Sequence, residues 1–128
     1  MERGAEVTDE GGLGDWPTEL RVTDRGRMLR VAFEDGAAFD LSAEYLRVVS
    51  PSAEVQGHAP HERKTVPGKK DVLITDVQPV GNYAVRIVFS DRHSTGIYSW
   101  PFLRELGEGH EARWAAYLQE LADKGLRR

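Results

Sequence analysis

No cysteine occurs among the 128 residues. That excludes disulfides, thiolate nucleophiles and cysteine-ligated metal sites, and it leaves no ligands for a conventional iron–sulfur cluster held by this chain alone. No apolar run approaches the length of a bilayer-spanning helix, so no membrane partner is expected. No basic segment followed by an apolar one opens the chain, so no secretory signal is expected and the location is expected to be cytoplasmic. The Gly-rich run and Lys of a phosphate loop are missing, as are the spaced glycines of a dinucleotide site and a G-x-S-x-G nucleophile elbow. An excess of basic charge is missing too. Lys and Arg number 17 against 21 Asp and Glu, giving a net charge of −4 and a pI near 5.6. Bulk electrostatics therefore does not draw this chain to nucleic acid, which is not an expected partner. Arg63, Lys64, Lys69 and Lys70 share one polar stretch and read as a solvent-facing group.

What is present suits one soluble domain: 40% hydrophobic and 30% charged residues, on a chain long enough for a real core. Residues 1–15 are Gly-rich and acidic, with little to bury, and are predicted to be a disordered tail. Residues 16–128 then form one domain. Glu19 to Thr23 and Met28 to Phe33 read as strands around a turn at Asp24-Arg25-Gly26. Leu29, Val31 and Phe33 alternate against Arg30 and Ala32. Glu34-Asp35-Gly36 turns the chain into a third strand ending at Leu41, and Ser42 caps a short helix through Arg47. Val49 to Lys70 is a long connection. Val72 to Val77, Ala84 to Phe89 and Thr95 to Ser99 read as strands, with turns at Pro79–Asn82 and Ser90–His93. Pro101 opens a helix that stops at Gly107. A final helix spans Glu111 to Lys124, with Trp114, Tyr117, Leu118 and Leu121 in one stripe and Gly125 as its cap.

The two halves echo each other. Leu29-Arg-Val-Ala-Phe-Glu-Asp aligns with Val85-Arg-Ile-Val-Phe-Ser-Asp without a gap. One added residue in the second turn then sets Tyr45-Leu46-Arg47 on Phe102-Leu103-Arg104. The predicted fold is α+β: an antiparallel sheet from two β-β-α units, closed by a C-terminal helix.

Several residues invite chemistry. His58 and His61 form an H-x-x-H pair, but Pro60 between them opposes a helix. A three-histidine metal site with His93 is the alternative to a solvated loop. Asp91, His93 and Ser94, or Ser50 and Ser52 with His58, contain the residue types of a nucleophile and base. Turn and cap roles account for Asp91 and Ser52 more simply, and no catalytic residue is assigned. Tyr45, Tyr98, Trp100 and Trp114 read as core or half-buried anchors.

The stretches EYLRVVSPSAEVQGH (44–58), GKKDV (68–72) and VGNYAVRIVFSDRHSTGIYSW (80–100) together resemble the gamma-butyrobetaine hydroxylase-like N-terminal domain family, including its stand-alone bacterial members. The resemblance covers about Trp16 to Leu121. In the hydroxylases the domain precedes an iron- and 2-oxoglutarate-dependent catalytic domain, for which this chain has no room. There it resembles a structural zinc module with three cysteines and one histidine as ligands. Laid on this sequence, those places fall on Ser50, Ser52, Val55 and His93. Serine hydroxyls are poor zinc ligands at neutral pH and valine is none, so no metal or other cofactor is expected.

The resemblance thus implies a non-enzymatic protein-binding or adaptor module without zinc. Its expected binding residues are Arg47, Ser50, Ser52, His58, Tyr83, His93 and Trp100, facing a protein partner of unknown identity. The family's plastid fusion to an iron–sulfur carrier makes such a carrier one candidate partner. An accessory role in cluster handling, or a histidine-based metal site, is the alternative reading. Because first loop and second turn meet at the metal in the zinc relatives, Ser50 or Ser52 is expected beside His93 here.

Overall fold

The computed structural model describes residues 16–52 and 65–128. The tail at 1–15, together with Val55, His58 and His61, lies outside the described residues. The chain runs β1 (Pro17–Thr23), a 3-10 turn at Asp24–Gly26, β2 (Met28–Phe33), β3 (Ala38–Ser42) and α1 (Ala43–Val48). After the connection come β4 (Ile74–Val80), β5 (Ala84–Phe89), β6 (Ile97–Ser99), α2 (Trp100–Glu108) and α3 (His110–Asp123).

The fold is α+β with antiparallel pairing throughout and helices at the C-terminus. Its strands divide between two three-stranded sheets, in the orders β1-β2-β3 and β4-β5-β6, where the sequence predicts one sheet. Each unit is therefore β-β-β-α. Alternation along a strand shows which face is buried but not which strand lies alongside, so it could not separate one ladder from two. The units share their core instead. Leu29, Val31 and Phe33 of β2 pack in one cluster with Val85, Ile87 and Phe89 of β5, together with Leu46, Tyr98, Leu103 and Leu106.

Other differences have local causes. β4 continues through Pro79, which the sequence places in a turn. β4 is an edge strand, where a missing N–H breaks no ladder. α2 runs past Gly107 to Glu108. A Cβ at Gly107 would lie 2.5 Å from the Phe39 ring, so the glycine makes room for an aromatic side chain rather than ending a helix. On α3, Tyr117 and Leu121 are buried while Leu118 is exposed. Gly125 takes a positive φ of 66° just after α3, and the Leu126 N–H returns to Leu121 O at 2.8 Å, as the predicted cap requires.

The internal echo extends to the backbone. A bulge between Pro17 and Glu19 in β1 has its counterpart between Ile74 and Asp76 in β4. The Phe33 N–H bonds Ala37 O at 2.8 Å, as the Phe89 N–H bonds His93 O at 3.0 Å. Ala43 N–H reaches Arg27 O at 2.7 Å, as Trp100 N–H reaches Tyr83 O at 3.2 Å. Ser42 caps α1 through the Tyr45 N–H at 3.0 Å, and Ser99 caps α2 through the Phe102 N–H at 3.2 Å. These matches set Arg47 on Arg104, Asp35 on Asp91 and Ala37 on His93.

Candidate functional site

The end of α1 meets the turn after β5. That turn is tight: Arg92 N–H bonds Phe89 O at 2.9 Å, and Arg92 sits at φ 73°, the left-handed region that Gly36 occupies in the first unit. It aims His93 inward. His93 Nε2 lies 3.0 Å from Ser50 Oγ, just beyond α1, and both residues are buried. The Ser52 N–H donates to the same Ser50 oxygen at 3.3 Å, and Ser52 Oγ lies 2.7 Å from Thr95 Oγ1. Ser50 also fits against Gly96, where a Cβ would come within 2.5 Å of its hydroxyl.

A charged cluster flanks this corner. Asp91 Oδ1 accepts from the His93 N–H at 3.1 Å, while Oδ2 accepts from Arg47 Nε at 2.9 Å and from Lys69 Nζ at 2.7 Å. Partial burial opposes ionisation of Asp91. The Lys69 ammonium, the His93 N–H and the Arg47 guanidinium together outweigh it and hold the carboxyl at about 2. The Arg47 side chain is only 11% exposed, and its Nη1 is buried without a hydrogen-bond partner among the described residues. Below the cluster, the Tyr98 hydroxyl donates to Leu46 O at 2.6 Å, and burial raises its pKa strongly.

Of the expected site residues, Arg47, Ser50, Ser52 and His93 are thus brought together, with Ser50 beside His93 as anticipated. His58 lies outside the described residues. Tyr83 and Trp100 stand elsewhere. Tyr83 precedes β5 and His93 follows it, so a six-residue strand, roughly 20 Å long, separates the two groups. Tyr83 is 57% exposed. The Trp100 indole N–H donates to Asn82 O at 2.8 Å, which fixes the ring beside the hairpin turn. Lys69, Thr95 and Gly96 are not among the expected site residues, and Asp91, which the sequence offers for chemistry, is given only a turn role there. The echo carried the signal for Asp91, because it ends on Asp35 and Asp91.

The corner does not suit the zinc implied for the hydroxylases. Among the described residues its donors are the hydroxyls of Ser50, Ser52 and Thr95 and one imidazole, where structural zinc takes four strong nitrogen or thiolate ligands. Among the described residues no group of three or more His, Asp or Glu side chains is arranged to hold a metal ion. Nor is any helix among them long and apolar enough to cross a membrane.

The comparisons with known proteins agree with this architecture. A protein of unknown function from Acidithiobacillus ferrooxidans, assigned to the DUF971 family, is 38% identical, with a TM-score of 0.62 over 74% of this chain and 96% of its own. A solution NMR structure is 39% identical, with a TM-score of 0.75 over 88% of each chain. A second is 41% identical, with a TM-score of 0.77 over 96% of this chain and 91% of its own. No curated protein matches. The profile described as gamma-butyrobetaine hydroxylase-like, N-terminal, matches residues 20–104, from the middle of β1 to the middle of α2. The chain therefore belongs to the gamma-butyrobetaine hydroxylase-like N-terminal domain family.

Proposed function

We propose that the chain is a non-enzymatic protein-binding module, acting in the cytoplasm, whose inter-unit corner is held by side-chain bonds where the hydroxylase relatives use an ion. The observation that carries this reading is the exposed ring of Tyr83 beside the tethered Trp100. Aromatic side chains fixed at a turn offer contact area at little entropic cost, and Tyr and Trp dominate binding hot spots.

A hydrolytic reading has less support. Ser50 faces an imidazole as a nucleophile would, but Ser50 is 0% exposed. A substrate carbonyl must reach the attacking oxygen, and this one is packed against Gly96. Asp91 is engaged by Lys69, Arg47 and the His93 backbone. The Ser50–His93 pair is better read as a polar core contact.

The test is affinity capture from native lysate with the intact chain and with Tyr83→Ala. Tyr83 is exposed, so the variant is expected to fold with an unchanged melting temperature. Loss of a specific protein from the variant eluate supports the reading. Identical eluates remove the Tyr83 face from it, and turnover of any substrate that is abolished by Ser50→Ala overturns the non-enzymatic assignment.

A further inference from the structure

The internal repeat supplies a built-in comparison for each surface position, and the outer faces of the two sheets differ in one respect. Arg30 is central on the outer face of the first sheet. It faces Asp40 across the strand pair, with ion pairs to Glu19 at 3.4 Å and to Asp40 at 3.5 Å. Arg86 holds the equivalent place in the second sheet. The partner equivalent to Asp40 is Ile97, and on the other side Arg86 faces Gln78. Asp76, the counterpart of Glu19, is turned to its own neighbours, the Val77 N–H at 2.9 Å and the Gln78 amide at 3.0 Å.

Among the described residues Arg86 thus makes no ion pair or hydrogen bond, although the same scaffold neutralises its twin twice. Arg86 also lines an open depression of about 640 Å³ with Gln78, Val88, Ser94 and Thr95. Beside it β6 is an edge strand, and Ile97 is exposed.

We propose that this face docks an extended protein segment bearing Asp or Glu, with Arg86 as the anchor for its carboxylate. The proposal rests on the reading of the chain as a binding module and names a second, separate face of it. A carboxylate set between Val88 and Ile97 meets a planar guanidinium that offers a two-pronged hydrogen bond in a partly apolar setting. Among the described residues β6 ends its sheet, and such an edge can take an added strand, whose alternate side chains would then lie over the outer face. One lone guanidinium on a chain of net charge −4 is a poor match for nucleic acid, which needs several cations.

The test is selection of a random decapeptide library on the full chain, with Arg86→Gln and Arg30→Gln chains as comparators. The expected result is enrichment of Asp and Glu among binders. Their affinity should fall by about tenfold or more in Arg86→Gln, further in Arg86→Glu, and little in Arg30→Gln. Thermal melts of the Arg86 variants should match the parent, since Arg86 has no partner to lose among the described residues. Binders without acidic enrichment, no binders at all, equal loss in Arg30→Gln, or displacement of the peptides by single-stranded oligonucleotide would each overturn the proposal. Peptides that need Tyr83 but are indifferent to Arg86→Gln would remove this face and leave the binding-module reading standing.

Discussion

Arg47 of the first unit donates to Asp91 of the second at 2.9 Å, and the repeat returns the favour: Arg104 of the second donates to Asp35 of the first at 2.8 Å. One contact is made twice, reciprocally, each helix clamping the turn of the other unit. The aspartates even share a second bond, Asp35 to the Ala37 N–H and Asp91 to the His93 N–H, both at 3.1 Å. The two clamps differ in depth. Asp91 and Arg47 are 22% and 11% exposed, against 44% and 19% for Asp35 and Arg104.

Depth predicts unequal costs. Asp91→Asn removes the charge that compensates a nearly buried Arg47 and should destabilise the fold by about 2 kcal/mol. Asp35→Asn should cost clearly less, because solvent screens the exposed pair. The sign with pH follows from the depressed carboxyl. Asp91 is held at about 2 against an ordinary 3.8, so its contribution is complete above about pH 4 and disappears as pH falls through about 2. Urea unfolding across that window should show the gap between parent and Asp91→Asn closing toward acid. A gap that stays constant would mean the carboxylate charge is not what stabilises the corner.

The alkaline side has its own marker. Tyr45 is fully buried and donates its hydroxyl to Leu106 O at 2.7 Å, tying α1 to α2. Burial pushes its pKa up to about 12 from 10.0. A raised phenol contributes stability that is complete below about pH 10 and lost as pH rises through about 12. Tyr45→Phe should cost about 1 kcal/mol at neutral pH and should show a weaker alkaline loss than the parent. An unchanged alkaline profile would exclude Tyr45 as its source.

Much of this was legible in the chain. Strand faces, the first helix cap and the repeat follow from alternation, from Ser42, and from the matched runs at Leu29 and Val85, whereas the Ser99 cap emerges only in the structure. The meeting of Ser50 with His93 followed from the resemblance. Lateral strand order did not, since hydrogen-bonded neighbours leave no mark on a strand's own alternation. The split between His93 and Trp100 was missed for a related reason. Both residues flank the second hairpin in sequence, but the intervening strand carries one to each end of the sheet. The isolation of Arg86 was also hidden, because it appears only when Arg30 and its two carboxylates are placed beside it.

Arg92 marks a place where the repeat is imperfect. At φ 73° it occupies the position of Gly36, at φ 93°. A side chain in the left-handed region costs about 1–2 kcal/mol, part of which glycine gives back through the entropy of the unfolded chain. Arg92→Gly should therefore stabilise by about 0.5–1 kcal/mol, read as a higher urea midpoint with an unchanged slope. Destabilisation would indicate that the Arg92 side chain makes a contribution larger than its backbone strain.

The last prediction concerns the Ser50–His93 corner, where the resemblance to the hydroxylases implies a zinc site in those enzymes. If Ser50 and His93 hold it by their hydrogen bond, removing either partner forfeits that buried bond. Ser50→Ala should cost about 1–2 kcal/mol, and a double-mutant cycle with His93→Ala should return a coupling of about 1 kcal/mol. Gly96→Ala should produce a similar loss through sterics, since its methyl would arrive 2.5 Å from the Ser50 hydroxyl. On the reading that no ion joins the units, a strong chelator should leave the melting temperature of freshly purified protein within about 1 °C. A large drop with chelator, restored by zinc, would mean that an ion rather than the serine–histidine bond joins the two units. Vanishing coupling in the cycle would instead mean that packing around Tyr98 and Gly96 holds the corner without help from the bond.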